Sequence, residues 1–464
     1  VSRQRSWGVP ITIFVSKKDK KPLIDKNVNR KILSILKKEG LDSWFKKPNE
    51  FFLTEKYNPA DFDKVNAILD VWFDSGSSHV YVLKNKGIKN KIDLYLEGSD
   101  QHRGWFQTSL LESCAIYGES PYKSVLTHGF VIDEKGKKMS KSFGNVILPS
   151  DVIKKYGADI LRIWVASSNY FDDIRISYEN LDRHAESYRK IRNTLRFLLG
   201  NLRNWDKKNI IDHKNLPKLE QYICHKIFEI NSKINQNFEE FNFNKVFQLI
   251  LNFCSKDLSA FFFDIRKDTL YCDSQDSDLY KSTQTVMFNV FECLIVWLAP
   301  IIPFTTEEAW QCWKNETDSS SALSCHLLGR KKLPKSWKND LLEENWNKIS
   351  VIKDAFSFSV EKKRNLKEIK SSLEANASIY IADPEYLRVA KFIDLNEILI
   401  ASKVSITQKM DEDFDIFPEN SDLAVKIQIS DGKKCPRCWK VFLEKVKSQE
   451  LCLRCKNVVD EVNH

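Results

Sequence analysis

The stretch Asp93-Leu-Tyr-Leu-Glu97 runs into the turn Gly98-Ser-Asp-Gln101, then into Trp105–Tyr117, and Ser124-Val-Leu-Thr-His128-Gly129 follows. A β-rich run, a polar turn, a helical stretch and a second β-rich run predict a βαβ unit and hence an α/β domain with a parallel sheet. In open α/β sheets ligands bind at the carboxyl ends of the strands. That points to Glu97-Gly98-Ser99-Asp100, His128-Gly129 and Asp133-Glu-Lys-Gly136 as candidate binding turns. Ile11–Val15 is read as a further strand and Ser150–Tyr156 as a further helix.

The chain has 464 residues, enough for roughly three domains at about 150 residues each. A hydrophobic content of 42% with 29 Phe, 14 Tyr and 12 Trp excludes a disordered or fibrous protein. Lys and Arg total 72 against 63 Asp and Glu, a net charge of +9 that permits a polyanionic partner without demanding one. No membrane span is expected, because the apolar run Cys293–Phe304 is short and carries Pro300 and Pro303. Arg3 and Arg5 ahead of Val9–Val15 are read as leading into a strand and not as a signal peptide, since no small-residue cleavage site follows. The chain opens with Val1 and reads as beginning in mid-domain. Seven scattered cysteines (Cys114, Cys224, Cys254, Cys272, Cys293, Cys312 and Cys325) fit free thiols in a reducing cytoplasm.

From about residue 178 to 315 glycine nearly vanishes and helical periodicity takes over. At 100° per residue, Tyr188, Ile191, Leu195, Leu198 and Leu202 share roughly 80° of arc, and Arg189, Arg192, Arg196 and Arg203 share roughly 60° on a separate face. The first is a core face. The second is a solvated face or a phosphate-tracking stripe. Met287–Pro303 is read as a buried helix ended by prolines. Residues 316–335 form a linker holding Asp318-Ser-Ser-Ser321. Glu343–Leu373 is read as a helix, and Ile379–Ala382, Ile398–Ala401 and Ala424–Ile429 as short strands of a small α/β unit.

Near the end, Cys435-Pro-Arg-Cys438 and Cys452-Leu-Arg-Cys455 form two knuckles. Four thiolates so spaced suit a closed, structural Zn²⁺ site, a redox pair being the alternative. Arg437, Lys440 and Arg454 around them favour an RNA contact. Lys138-Met-Ser-Lys-Ser142 sits in a loop continuing to Phe143-Gly144-Asn145. It is either a solvated basic loop or one whose Lys141 neutralises charge on a leaving pyrophosphate.

That five-residue string resembles the signature loop of class I aminoacyl-tRNA synthetases. Ser2-Arg-Gln-Arg-Ser-Trp-Gly-Val-Pro10, Asp70-Val-Trp-Phe-Asp-Ser-Gly76, Leu96-Glu-Gly-Ser-Asp-Gln-His-Arg-Gly-Trp-Phe106 and Leu126-Thr-His-Gly129 occur in the order of the isoleucyl-tRNA synthetase family. The resemblance implies a multidomain α/β plus α protein. Residues 1–177 would be the second half of a Rossmann-like catalytic domain, 178–335 a helical-bundle anticodon-binding domain, 336–430 an α/β junction and 431–464 a zinc ribbon. It implies ATP-dependent activation of isoleucine and transfer to tRNA(Ile), with Mg²⁺ accompanying ATP and one structural Zn²⁺. Glu97, Gly98, Asp100, Gln101 and His128 would meet the adenylate, and Trp72 and Trp105 would wall the side-chain pocket. Lys138, Met139, Ser140, Lys141 and Ser142 would bind ATP, the two lysines catalytically. Arg189, Arg192, Arg196 and Arg203 would bind tRNA. An apolar pocket separates isoleucine from valine by only about 1–3 kcal/mol, hence the family's hydrolytic editing. No His-x-Gly-His string occurs, and no editing domain is recognisable, so the chain reads as the C-terminal half of a cytoplasmic, monomeric enzyme that needs no membrane. A valyl or leucyl relative, or a non-catalytic RNA-binding protein derived from a synthetase, are the alternatives.

Overall fold

The computed structural model describes residues 8–83, 86–88, 91–203, 205–317, 322–442 and 450–462. Most of the Ser2–Pro10 string and all of Asp318–Ser321 lie outside them. The chain forms two compact units, Val1–Val131 with Tyr170–Ile174, and Ile132–Asn169 with Arg175–His464.

In the first unit, Phe14–Ser16 pairs antiparallel with Phe62–Lys64. The expected strand Ile11–Val15 is thus shorter and displaced. Ahead of it, Pro10 bridges to Ile68 alone. The helix Lys26–Glu39 begins where Asp25 accepts hydrogen bonds from the Asn27 and Val28 amides, and it stops at Gly40, whose φ of +84° suits glycine. Phe14, Val28, Ile32, Trp44, Phe52 and Leu53 form a small core. The βαβ unit follows. Ile92–Gly98 and Tyr122–His128 pair in parallel, joined through the helix Trp105–Tyr117. Parallel strands are ordinarily covered on both faces, yet Leu96 and Val125 are exposed here.

The second unit begins with the loop that carries Lys138–Ser142. The helix Pro149–Tyr156 follows, as expected for Ser150–Tyr156, and the next helix, Ala158–Ser167, is tied to the helical bundle. Buried Asp159 accepts from the Thr305 amide (2.8 Å) and Thr305 hydroxyl (2.6 Å), capping the positive end of the helix Pro303–Thr317. Arg162 donates to the Ile301 and Pro300 carbonyls freed at the proline break.

The bundle comprises Tyr178–Asn201, Lys218–Glu239, Asp278–Leu298, Pro303–Thr317 and a continuous helical run Phe243–Cys272. Ile191, Leu195, Leu198 and Leu202 lie in its core, with Tyr188 packed against it. The run Phe243–Cys272 is long and apolar enough to cross a membrane, which the sequence reading did not anticipate. Its Phe247, Ile250, Phe253, Cys254, Leu258 and Phe262 turn into the bundle core.

Beyond the bundle, the helix Asp340–Asn365 packs on a sheet of four strands in the order Lys403–Thr407, Ala375–Ile381, Leu423–Ile429, Asp415–Ile416. Ala375–Ile381 alternates buried and half-buried residues, as a strand covered mainly on one face must. Two sequence expectations fail. The helix ends at Asn365 and not Leu373, with Lys367 in the left-handed region at φ +59°. Ile398–Ala401 is not a strand: Leu395–Ile398 is a helix capped by Asp394, and the strand is Lys403–Thr407. Leu395, Ile398 and Leu399 sit at i, i+3 and i+4, so helical spacing buries all three and overrides their β-propensity.

One charged group lies at the centre of the second unit. Arg266 is 1% exposed and donates from Nε and Nη2 to the Glu220 carboxylate (2.5 and 2.7 Å) and from Nη1 to Glu397. Thr283 also donates to Glu220 (3.3 Å). Breaking a buried pair strands a desolvated charge. Glu220→Ala should therefore destabilise this unit by about 3–5 kcal/mol, read as a lowered urea midpoint of the helical signal.

Candidate active site and metal centre

Because Ile92–Gly98 and Tyr122–His128 run parallel, their carboxyl ends coincide. The register sets Glu97 opposite Thr127 and Gly98 opposite His128. Glu97 is exposed, its Oε1 accepting from the Gly98 amide (3.3 Å). A Cβ on Gly98 would fall 2.7 Å from the Asp100 carboxylate, so glycine here lets Asp100 fold over the strand end. Gln101 Nε2 donates to Asp100 (3.2 Å), and Gln101 Oε1 accepts from the Trp105 amide (3.1 Å), which fixes the amide's orientation. His128 Nδ1 lies 2.7 Å from the Gly129 carbonyl. A carbonyl only accepts, so Nδ1 carries the proton and a neutral ring leaves Nε2 as an acceptor.

The tryptophans differ in setting. Trp105 stacks on buried Tyr95 at 4.2 Å, and its indole N–H donates to the Ser75 carbonyl (3.0 Å) and the Ser78 hydroxyl (3.3 Å). Trp72 is 42% exposed, with its ring against Gly104. A Cβ there would meet the ring at 2.9 Å and Gln101 Oε1 at 2.7 Å. Gly104 is thus what allows Trp72, Gln101 and Trp105 to share one corner. The structure gathers Trp72, Glu97, Gly98, Asp100, Gln101, Trp105 and His128 around this strand end and the start of the following helix.

The lysine loop belongs to the second unit. The Asp133 amide donates to the Lys137 carbonyl (2.9 Å), and the Asp133 carboxylate accepts from the Lys137 amide (2.7 Å). Asn145 crosslinks the loop. Its Nδ2 donates to Asp133 (2.8 Å) and the Lys138 carbonyl (3.3 Å), and its Oδ1 accepts from the Ser140 amide (2.9 Å). The Asn145 amide holds the Asp133 carboxyl below the ordinary carboxylate range. Lys141, Ser142 and Phe143 make one 3-10 turn ended by Gly144 at φ +67°. The Ser140 and Ser142 hydroxyls are 3.0 Å apart, and Met139 is half-buried. Lys138 and Lys141 are exposed and make no ion pair among the described residues. Beside the loop lies an open cleft of about 650 Å³ lined by Asp133, Lys137, Phe143, Asn145, Tyr178 and Glu179. In the sequence Asn145 stands simply as the end of the lysine loop, with no role of its own. Its position after a glycine in a turn is the signal that was available.

Cys435, Cys438, Cys452 and Cys455 are all buried, with Sγ atoms within 4.8 Å of one another. Cys438 Sγ and Cys452 Sγ are 3.9 Å apart. Tetrahedral zinc at about 2.3 Å from each sulfur needs S···S of about 3.8 Å. Against its burial, amide hydrogen bonds from Cys452, Cys438 and Arg437 pull the Cys435 thiol down, while burial pushes Cys438 and Cys452 up, so it is the sulfur spacing and the four-thiol donor set that carry the fit. The donor set therefore fits Zn²⁺.

On the helix Tyr178–Asn201, Arg189 is ion-paired with Glu186, and Arg192 grips Glu308 through both Nη atoms (2.8 and 3.0 Å). Arg196 is exposed, and Arg203 lies beyond the helix's last turn. The four arginines thus do not form one uncommitted stripe.

Residues 1–177 match the family model "tRNA synthetases class I (I, L, M and V)", and residues 220–381 match "Anticodon-binding domain of tRNA ligase". An isoleucine–tRNA ligase from Pelagibacter ubique is 48% identical over 97% of the chain, covering 48% of that relative. One from Zymomonas mobilis is 43% identical over 99% of the chain, covering 48% of its own length. The chain belongs to the isoleucyl-tRNA synthetase family, within class I. It spans about half the length of the curated relatives it matches. In fold it resembles LeuRS of Agrobacterium radiobacter, solved in a ternary complex with tRNA and LeuAMS, at a TM-score of 0.52 and 16% identity over 73% of this chain and 42% of that one. The family's α/β catalytic fold and helical anticodon-binding region agree with what the sequence implied.

One carboxylate near the tryptophan corner has no place in the family motifs. Glu112 lies on the Trp105–Tyr117 helix against Gly76, its Oε2 buried without a partner. Burial, and then Asp74, raise it to about 7. A raised acid binds more protons folded than unfolded, so its contribution to stability is lost as pH climbs from about 4.5 to about 7. Glu112→Gln should raise the melting temperature at pH 8 and leave it nearly unchanged at pH 4.5, as thermal melts at the two pH values would show.

Proposed function

We propose that these residues serve an isoleucine–tRNA ligase, which joins isoleucine to ATP as the acyl-adenylate, releases pyrophosphate, and passes the acyl group to tRNA(Ile). The observation that carries this reading is the register placing Glu97 and Gly98 beside Thr127 and His128 at coincident strand ends. The names of the relatives and the matching of both family models support it.

Each side chain then has a task. Glu97 holds the substrate ammonium, Gly98 lets the ligand approach the backbone, and Asp100 with the oriented Gln101 amide addresses ammonium and ribose. His128 offers Nε2 to the adenylate. Trp72 and Trp105 wall the isoleucine pocket, Trp105 held rigid by its stack and both indole hydrogen bonds. Lys138 and Lys141, with Met139, Ser140 and Ser142, meet the ATP phosphates on a loop whose shape Asn145 fixes. The isoleucine carboxylate attacks the α-phosphorus in line, so the enzyme supplies positioning and charge stabilisation and no covalent nucleophile. Mg²⁺ is read as part of the nucleotide substrate, neutralising its phosphates. One Zn²⁺, held by Cys435, Cys438, Cys452 and Cys455, gives the terminal module its fold. Exposed Arg196 and Arg203 remain candidates for tRNA phosphates, with Arg189 and Arg192 available only by exchanging their present carboxylates. No residue of this chain is assigned to editing. Free cysteines throughout suit a reducing cytoplasm, and a monomer is the simplest state for the reading.

In a full-length ligase carrying these residues, Lys141→Ala should lower kcat for isoleucine-dependent pyrophosphate exchange by about 10²–10³-fold, the usual effect of removing one charge-stabilising donor. The KM for isoleucine should move little. A steady kcat with a raised isoleucine KM would overturn the role given to Lys141, and absence of isoleucine-dependent exchange in the unaltered enzyme would overturn the function. Elemental analysis should find one zinc per chain, lost in the Cys438→Ser Cys452→Ser double variant.

A further inference from the structure

Three basic residues that flank the four cysteines, Arg437, Lys440 and Arg454, are spent inside the molecule. Arg454, between Cys452 and Cys455, closes a two-point fork on Asp268 with both distances 2.7 Å, and its Nη1 reaches Asp273 at 3.0 Å. Lys440 sits 2.9 Å from the same Asp268 carboxylate. Arg437, between Cys435 and Cys438, donates to the carbonyls of Cys272 (2.7 Å) and Tyr271 (3.2 Å). All three cations therefore converge on one place, the last turns of the helix Phe263–Cys272 and the residue after it. Those turns present unpaired carbonyls and a negative dipole end, to which Asp268 and Asp273 add full charges. The groups are largely withdrawn from water: Asp268 exposes 26% of its side chain and Asp273 17%. Beneath them the Cys272 side chain is buried among the four zinc-site cysteines, its thiol 3.8 Å from the Arg437 carbonyl.

We propose that Asp268, assisted by Asp273 and the carbonyl end of the Phe263–Cys272 helix, is a positioning residue that seats the four-cysteine module on the helical bundle through Arg454, Lys440 and Arg437. This replaces the RNA contact that the sequence suggested for those three cations, and its functional part rests on the ligase reading. Each cation lies within two residues of a cysteine of the site, so the metal folds the knuckles and the knuckles in turn aim the cations at the helix end. A module held at one angle presents its outer surface to tRNA in a fixed pose. An unseated module keeps its zinc and loses that pose.

The seat is tested first on the 464-residue chain with zinc bound. Asp268→Asn keeps the shape and removes the charge that Arg454 and Lys440 share. Zinc content should stay at one per chain, while alkylation of Cys272 by iodoacetamide, mapped by mass spectrometry, should accelerate at least about tenfold. Cys224 and Cys254, deep in the bundle, should stay protected, which separates undocking from unfolding. The charge-exchanged pair Asp268→Arg with Arg454→Asp should recover part of the protection. Unchanged Cys272 reactivity in Asp268→Asn, or equal loss of protection at Cys224 and Cys254, would overturn the seat. In a full-length ligase the same variant should raise the KM for tRNA at least about fivefold with pyrophosphate exchange unaltered. A faster Cys272 reaction with an unchanged tRNA KM would overturn the positioning role while leaving the docking contact in place. Loss of isoleucine-dependent exchange in the unaltered enzyme would fault the ligase reading and not the seat.

Discussion

The buried guanidinium of Arg266 is the constraint on which most of the second unit depends. It joins Glu220 on the helix Lys218–Glu239 to Glu397 on the short helix Leu395–Ile398, from a position on the helix Phe263–Cys272. A hydrophobic cluster could hold the same three elements together, but it would tolerate sliding. A planar fork with both arms filled admits one geometry. Two residues further along, Asp268 takes the cysteine module. One helix, fixed from below by an ion pair it cannot exchange with water, thus sets the places of the bundle, the small α/β unit and the four-cysteine tail.

The strand-end site of the first unit is organised by a different device. Here close approach does what charge does elsewhere. Gly98 and Gly104 leave room for Asp100, Gln101 and the Trp72 ring, and Gly129 passes where a Cβ would lie 2.3 Å from the Asp172 backbone. Polar side chains are then oriented by one another, as Gln101 is by Asp100 and the Trp105 amide. The result is a set of polar groups held in fixed orientation at the strand end, the kind of arrangement that the proposed catalysis by positioning would use. The lysine loop follows the same logic with Asn145 as its brace, leaving the two ammonium groups uncommitted on a defined turn.

What the sequence disclosed and what it withheld follow one rule. Features set by neighbours along the chain were legible. The helix Trp105–Tyr117 has the predicted ends because Gly104 and Gly118 (φ +76°) bracket it. The strands Asp93–Glu97 and Ser124–His128 lie inside the observed ones, and the two cysteine knuckles close into one buried cluster. Features set by distant partners were not legible. Nothing near Glu112 announces that its carboxylate lies against Gly76 of the helix Val71–Gly76.

Charge shows the rule most sharply. Arg437 and Arg454 meet partners 165 and 186 residues away, and Arg192 meets Glu308 across 116. Counting basic residues on a helix face or around a knuckle gives the supply of positive charge but not the demand for it inside the fold. A guanidinium already holding a carboxylate in a fork has little left for a phosphate, because the new bond must first replace the old one and leave a half-buried acid unpaired. An apparent basic surface is therefore always larger in the sequence than in the folded chain. In this family member the surplus of +9 is thus partly consumed inside the fold, and among the described residues Lys138, Lys141, Arg196 and Arg203 are the cations of the sequence motifs that stay exposed without an ion pair.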